Sequence, residues 1–104
     1  MAKLTLKAKP TFKARVAIPA PGEDEFEPLE FTFKHRTRDE IDEFCKSAGE
    51  LRDAALIMAI ASGWELADEF NEKNLNDFSQ DYIMAPNAIF QKYLDELVKA
   101  RAKN

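Results

Sequence analysis

Two segments in which every second residue is apolar limit the fold of this chain more than any other feature. They span residues 11–18 and 29–34. The apolar positions that share a face are Phe12, Ala14, Val16, Ile18, Leu29, Phe31 and Phe33. A period of two is typical of a half-buried strand, and the Pro-Ala-Pro-Gly run at residues 19–22 separates the two segments. The pattern predicts an antiparallel β-hairpin over residues 11–34, whose apolar face must be covered by other elements because an isolated hairpin is marginally stable.

Helix-start signals follow the hairpin. Thr37 and Glu40 have the spacing of a capping box, in which each side chain satisfies a backbone N–H of the first turn. We expect this first helix to end at Gly49. Asn71 is a second candidate cap, and Pro86 suits the first positions of the last helix because a missing N–H is harmless there.

Between these signals, a continuous apolar run predicts a second helix over residues 51–62, ended by Gly63. The fold class predicted is α+β, with an N-terminal antiparallel β-hairpin packed on a C-terminal bundle of about four helices over residues 37–102. We interpret residues 1–104 as a single domain. Residues 1–10 alternate weakly, and are expected to be either a mobile arm or an edge strand.

Charge is distributed unevenly, although the formal net charge is only −4. Residues 1–15, the basic segment, carry five Lys or Arg and no acid, whereas residues 21–30, the acidic segment, carry five Asp or Glu and no base. Such a sparse basic segment, without a recognisable reading motif, disfavours nucleic-acid binding. The single Cys45 excludes an internal disulfide and favours a reducing compartment. The longest apolar run, residues 54–61, is shorter than the ~20 residues that span a bilayer, so no membrane association is expected.

Candidate catalytic and metal-binding groups are few. His35 and Cys45 could form a Cys–His pair, but a histidine at a strand end and a small side chain packed on the first helix explain them more simply, and we favour that interpretation. The acidic residues 23–27 lack the alternating oxygen ligands and central glycine of an EF-hand loop. We therefore expect no catalytic residues, no cofactor-binding residues and no metal site, and consequently no enzyme.

The last helix carries a wide apolar stripe. Its members are Ile89, Phe90, Tyr93, Leu94, Leu97 and Val98. One interpretation places all six in the core. The alternative is that part of the stripe contacts a partner protein or a second subunit, since helix-in-groove recognition works through such apolar anchors. The candidate contact residues are Phe90, Tyr93, Leu94 and Leu97. Trp64, which follows Gly63, is expected to cover the core.

Several segments, taken in order, resemble the tail assembly chaperones of long-tailed bacteriophages and prophages. The resemblance covers nearly the whole chain and depends on order and spacing, because no single piece is a sharp motif. The Ala-rich stretch at residues 52–61 departs from the family pattern. The segments are Pro10-Thr11-Phe12-Lys13-Ala14 with Ile18-Pro19, Phe31-Thr32-Phe33-Lys34-His35-Arg36-Thr37, Gly63-Trp64-Glu65-Leu66 with Glu69-Phe70, Glu72 with Asn74-Leu75, and Ala88-Ile89-Phe90 with Tyr93.

This resemblance implies a protein that binds the long helical tape measure protein and keeps it soluble while the tail tube assembles. It also implies action in the host bacterial cytoplasm, absence from the mature virion, and no catalytic residues. Further partners implied are the tail tube protein, other copies of the chain in a homo-oligomer, and a frameshifted longer form. Two alternatives remain open: a structural tail component such as a terminator or connector subunit, and a regulatory DNA-binding protein.

Overall fold

The two alternating segments form the predicted hairpin in the computed structural model, which describes residues 4–99. Strand β1 spans Thr11–Ile18 and pairs antiparallel with β2, Glu27–Lys34, which begins two residues earlier than the alternation indicates. The burial of both strands alternates along the chain, so one face of the hairpin is in the core and the other is in solvent.

The hairpin separates most of the acidic segment from most of the basic segment. The ladder runs from Thr11 opposite Lys34 to Ile18 opposite Glu27. Gly22 lies in the connecting turn with φ +84, a conformation that glycine adopts without steric cost. The seven steps between these eight residue pairs, at ~3.3 Å each, place the two ends of the ladder about 23 Å apart. The two segments come close only midway along the described ladder, and their charges are otherwise concentrated at opposite ends.

A third strand was not predicted. Helix α2 spans Asp53–Ile60, and the chain then becomes β3, Ala61–Trp64, which pairs antiparallel with β2. The prediction of a helix over residues 51–62 is therefore wrong at its end. A strand is favoured over a continued helix there because pairing places Trp64 opposite Phe31, with their ring centroids 6.2 Å apart.

Four α-helices complete the described chain, and their caps follow the sequence signals. Thr37 Oγ1 accepts from the Glu40 N–H at 3.2 Å, while the Thr37 N–H donates to the Glu40 carboxylate at 2.8 Å, which confirms the capping box. The Asn71 side chain likewise caps a helix. The expected end at Gly49 is wrong, because the chain tightens into a 3₁₀ turn there with buried Ala48. The helical elements are α1 Arg38–Ser47, the 3₁₀ turn Ala48–Glu50, α2, α3 Glu72–Asp81, α4 Ala85–Leu94 with Pro86 in its first turn, and a π-helical turn Asp95–Lys99.

The core lies between the inner face of the sheet and helices α2, α3 and α4. Its largest fully buried side chains are Phe31, Phe33, Ile57, Ile60, Leu75, Ile89 and Tyr93. This arrangement confirms the α+β class with a hairpin packed on helices. Residues 4–10 form neither helix nor strand. The predictions for residues 1–3 and for the helical part beyond residue 99 lie outside the described residues.

Candidate functional site

The four predicted contact residues of the last helix lie in different environments. Tyr93 is 0% exposed and belongs to the core. Phe90, Leu94 and Leu97 are partly buried and pack at the margin of the core. All four therefore belong to the core or pack against it, and three of them keep accessible surface. Their role in partner contact stays a prediction.

The Tyr93 hydroxyl is fully engaged inside the protein. It accepts a hydrogen bond from Arg36 Nη1 at 2.9 Å and donates one to the backbone oxygen of Lys34 at 2.8 Å. Burial raises the pKa of Tyr93 above its ordinary value of 10.0, because the ionised form would lose hydration, and the Arg36 cation offsets part of that effect. This side chain ties the end of β2 to α4.

Arg36 also joins α1 to α4. Its guanidinium carbon lies 4.1 Å from the centroid of the Phe44 ring, and Phe44 meets Phe90 edge-on with centroids 6.3 Å apart. A cation over an aromatic face and an edge-on ring pair are both favourable arrangements. We call Arg36, Phe44, Phe90 and Tyr93 the Arg36 seam. Its polar and aromatic groups contact each other, so the Tyr93 hydroxyl is engaged internally, while Phe90 keeps part of its ring accessible.

Exposed apolar surface reappears beyond the seam, in the π-helical turn. Val98 is 61% exposed. Leu97 lines two shallow cavities of about 370 and about 390 Å³, one shared with Ile41 and the other with Phe12. Both cavities also contact His35, so they lie at the end of the sheet where the basic segment enters.

A second surface lies at the opposite end of the sheet, and the sequence did not predict it. Two neighbouring cavities of about 560 and about 260 Å³ lie there, and both are lined by Leu66 and Phe78. We call these two cavities together the Trp64 groove. Its apolar lining consists of Ile18, Pro28, Leu29, Trp64, Leu66, Ala67, Phe78 and Tyr82.

Carboxylates surround this apolar lining. The groove residues whose side chains are charged at neutral pH are Glu27, Glu65, Asp68, Asp77, Asp81 and a single base, Arg15. Asp77 pairs with Lys73 at 3.3 Å, and both side chains are largely exposed, so solvent screens that pair. Helix α3 ends at Asp81 with no basic residue in its last turn. The negative end of the helix dipole therefore adds to the negative charge of the groove.

Hydrogen bonds hold the loop that forms one wall of the groove, residues 65–71. Trp64 Nε1 donates to the backbone oxygen of Asp68 at 2.8 Å, and Asn74 Nδ2 donates to that of Glu69 at 2.7 Å. Such contacts fix the loop without a partner, so the groove is preformed.

The sequence comparisons identify the family. A family model described as phage tail assembly chaperone matches residues 1–104, the whole chain. The chain belongs to this family. The match confirms the resemblance carried by the ordered segments of the sequence. Comparison with the curated proteins and with the solved structures found no match.

Membership of a tail assembly chaperone family points to a role in assembly rather than catalysis. The two groups considered for chemistry are a half-buried His35 and an exposed Cys45. Within residues 4–99, no three His, Cys, Asp or Glu side chains lie close enough together to hold a metal ion. In the same range, no helix has the length and apolar character needed to cross a lipid bilayer.

Trp64 covers the core, as expected, but it does more than that. Its ring packs edge-on against Phe70 and Phe78 with centroids 5.4 Å away, and it also lines the groove. One signal in the sequence could have indicated the groove. Asp77 and Asp81 lie four residues apart at the end of α3, where cations are the stabilising choice, and such a placement suggests a purpose other than helix stability.

Proposed function

We propose that this tail assembly chaperone binds the tape measure protein and keeps it soluble during assembly of the tail tube. The family match over the whole chain carries the proposal. The binding is non-covalent and depends on apolar side chains that remain accessible on the folded domain. It takes place in the host bacterial cytoplasm, and the chaperone is absent from the mature virion.

Accessible apolar side chains support this role. Large hydrophobic residues with more than a third of their surface exposed are Leu4, Leu6, Phe26, Leu66, Ile83, Met84 and Val98. A holdase stabilises the soluble state of a client by offering such surface to its exposed helices. We propose Phe90, Leu94 and Leu97 as one contact surface, continued by Val98, with buried Tyr93 keeping them in position.

We also propose contacts with the tail tube protein, with further copies of this chain and with a frameshifted longer form. Light scattering of the purified chain, alone and mixed with each of these proteins, measures the assemblies formed. A structural tail component would persist in the particle, so mass spectrometry of purified tails separates that alternative. A regulatory DNA-binding protein would show DNA affinity that falls steeply with salt.

Co-expression with the tape measure protein of the same phage tests the main proposal. The soluble fraction of the tape measure protein should rise several-fold in the presence of the chain. Leu97→Asp combined with Val98→Asp should reduce this rise, because charge on the contact surface opposes apolar binding. The matched control is Asn87→Asp with Gln91→Asp, which adds the same charge at two exposed positions of α4 and should leave the rise intact. An unchanged solubility with the native chain would contradict the proposed function.

A further inference from the structure

The Trp64 groove contains an exposed apolar residue, and two more are adjacent to groove residues in the chain. Leu66 inside the groove is 37% exposed. Phe26 precedes the groove residue Glu27 in the chain, and Ile83 directly follows Tyr82, with 45% and 74% of their surfaces exposed. A cluster of exposed apolar side chains rimmed by charge marks a site of protein interaction.

The charges of the groove favour a partner of opposite, positive charge. Five carboxylates and one guanidinium line it, and the C-terminal end of α3 contributes further negative potential. In α1, by contrast, the side-chain charges complement the helix dipole, with Asp39 and Glu40 in the first turn and Lys46 in the last. A partner carrying Lys or Arg would supply near Asp81 the cation that α3 lacks.

The backbone of the groove wall selects the conformation of the partner. The Glu65 N–H donates to the Glu30 carbonyl at 3.0 Å, and the carbonyls of Asp68 and Glu69 accept side-chain hydrogen bonds. These groups are engaged within the domain and do not form a free ladder for an added strand. A segment seated against these groups must satisfy its own backbone hydrogen bonds, which an α-helix does.

We propose that the Trp64 groove binds a basic amphipathic helix. Its apolar side chains cover Leu66 and Phe78, and its Lys or Arg side chains lie beside Asp77 and Asp81. This inference rests on the proposed function in one respect only: under that function, the helix is a segment of the tape measure protein.

A designed peptide tests the groove without the client. The probe has about 18 residues, long enough for a helix of ~27 Å, and contains Leu at i, i+3, i+4 and i+7 with Lys and Ala elsewhere. Trp64 is the only tryptophan of the chain, so its fluorescence reports binding when the peptide contains none. The Lys peptide should change this emission saturably, and added salt should weaken the binding. A peptide with Glu in place of Lys, and a Lys peptide with a central Pro, should each bind at least about tenfold more weakly.

Variants of the chain locate the binding. Asp77→Asn with Asp81→Asn should weaken binding of the Lys peptide about tenfold, a difference that corresponds to ~1.4 kcal/mol. The matched control is Glu43→Gln with Glu50→Gln, which removes two exposed charges from α1 and the 3₁₀ turn. One of these carboxylates is in a local ion pair with Lys46, as Asp77 is with Lys73. Circular dichroism confirms that each variant is folded.

Specific results would overturn the inference. They are equal binding of the Lys and Glu peptides, undiminished binding of the Pro peptide, or equal weakening by the control pair. If the native chain solubilises the tape measure protein but ignores the Lys peptide, the groove inference fails and the proposed function stands. If the Lys peptide binds as expected and the solubility of the tape measure protein is unchanged, the proposed function fails and the groove inference stands.

Discussion

The Arg36 seam and the Trp64 groove are both built from aromatic side chains, yet they differ in what those side chains contact. In the seam, a tyrosine hydroxyl, a guanidinium and two phenyl rings contact one another. In the groove, three aromatic residues line an open depression among carboxylates: Trp64, Phe78 and Tyr82. The comparison teaches that a wide apolar stripe on a helix does not by itself identify a binding surface. The deciding question is whether other elements of the same domain already cover the stripe.

Among the variants that test this comparison, Tyr93→Ala should change the free energy of unfolding most. Removing a fully buried aromatic ring leaves a cavity and typically lowers the free energy of unfolding by about 3–5 kcal/mol. Urea denaturation measures the change. Leu66→Ala, at the partly exposed groove, should cost less than about 1 kcal/mol. Similar losses for the two variants would break the distinction between a closed seam and an open groove.

Tyr93→Phe keeps the ring and removes only the hydroxyl. Because the Lys34 carbonyl and the Arg36 guanidinium each lose a hydrogen-bond partner, the free energy of unfolding should fall by about 1–3 kcal/mol.

The same hydroxyl makes stability depend on alkaline pH. Its pKa is raised in the folded state, so the unfolded chain ionises first. The native chain should therefore keep the contribution of Tyr93 below pH 10 and lose it as the pH rises above that value. Denaturation at a series of pH values should show a smaller alkaline loss for Tyr93→Phe than for the native chain. Parallel pH profiles would indicate that the hydroxyl is accessible to water.

Thr37→Ala tests the helix that carries Phe44 into the seam. Loss of the N-cap oxygen should lower the free energy of unfolding by about 1 kcal/mol. The pKa of Glu40 is held below 4.5, chiefly because its carboxylate accepts the backbone N–H of Thr37. Its stabilisation is thus present above pH 4.5 and lost as the pH falls below that value, a loss that Glu40→Gln should lack in acid denaturation.

Asp81→Asn should change the free energy of unfolding least, and it should raise it rather than lower it. Removing a negative charge from the C-terminal turn of α3 should raise the free energy of unfolding by about 0.3–1 kcal/mol at low salt. Asp39→Asn is the matched control, because Asp39 lies in the first turn of α1 and its neutralisation should destabilise the helix. Thermal unfolding at two ionic strengths measures both changes. A stabilised Asp81→Asn variant that also binds the Lys peptide less well would show a charge kept at the expense of stability.

Local signals in the sequence were sufficient for much of the fold. Alternation defined the hairpin, and Thr37, Asn71 and Pro86 marked helix starts, because each of these effects acts within a few residues. The third strand depended on pairing between Trp64 and Phe31, which no local pattern encodes. For the same reason the apolar run before it was extended too far as a helix.

The candidate surfaces were harder to predict than the fold. The stripe on the last helix was recognised, but the two hydrogen bonds of the Tyr93 hydroxyl, one accepted from Arg36 and one donated to the Lys34 carbonyl, join residues far apart in sequence. The groove combines four separate parts of the chain, represented by Ile18, Leu29, Leu66 and Phe78. Only the three-dimensional arrangement brings such residues together, whereas the family itself could be recognised from the order of segments.

The bond between Tyr93 and Lys34 also has a consequence for synthesis on the ribosome. The two residues are 59 positions apart, so the strand emerges long before the helix that covers it. At translation rates of about 5–20 residues per second, Tyr93 is added to the chain roughly 3–12 seconds after Phe31 and Phe33. During that interval the nascent hairpin exposes the aromatic face that the finished domain hides. This tail assembly chaperone therefore passes through a brief aggregation-prone stage while it is being translated.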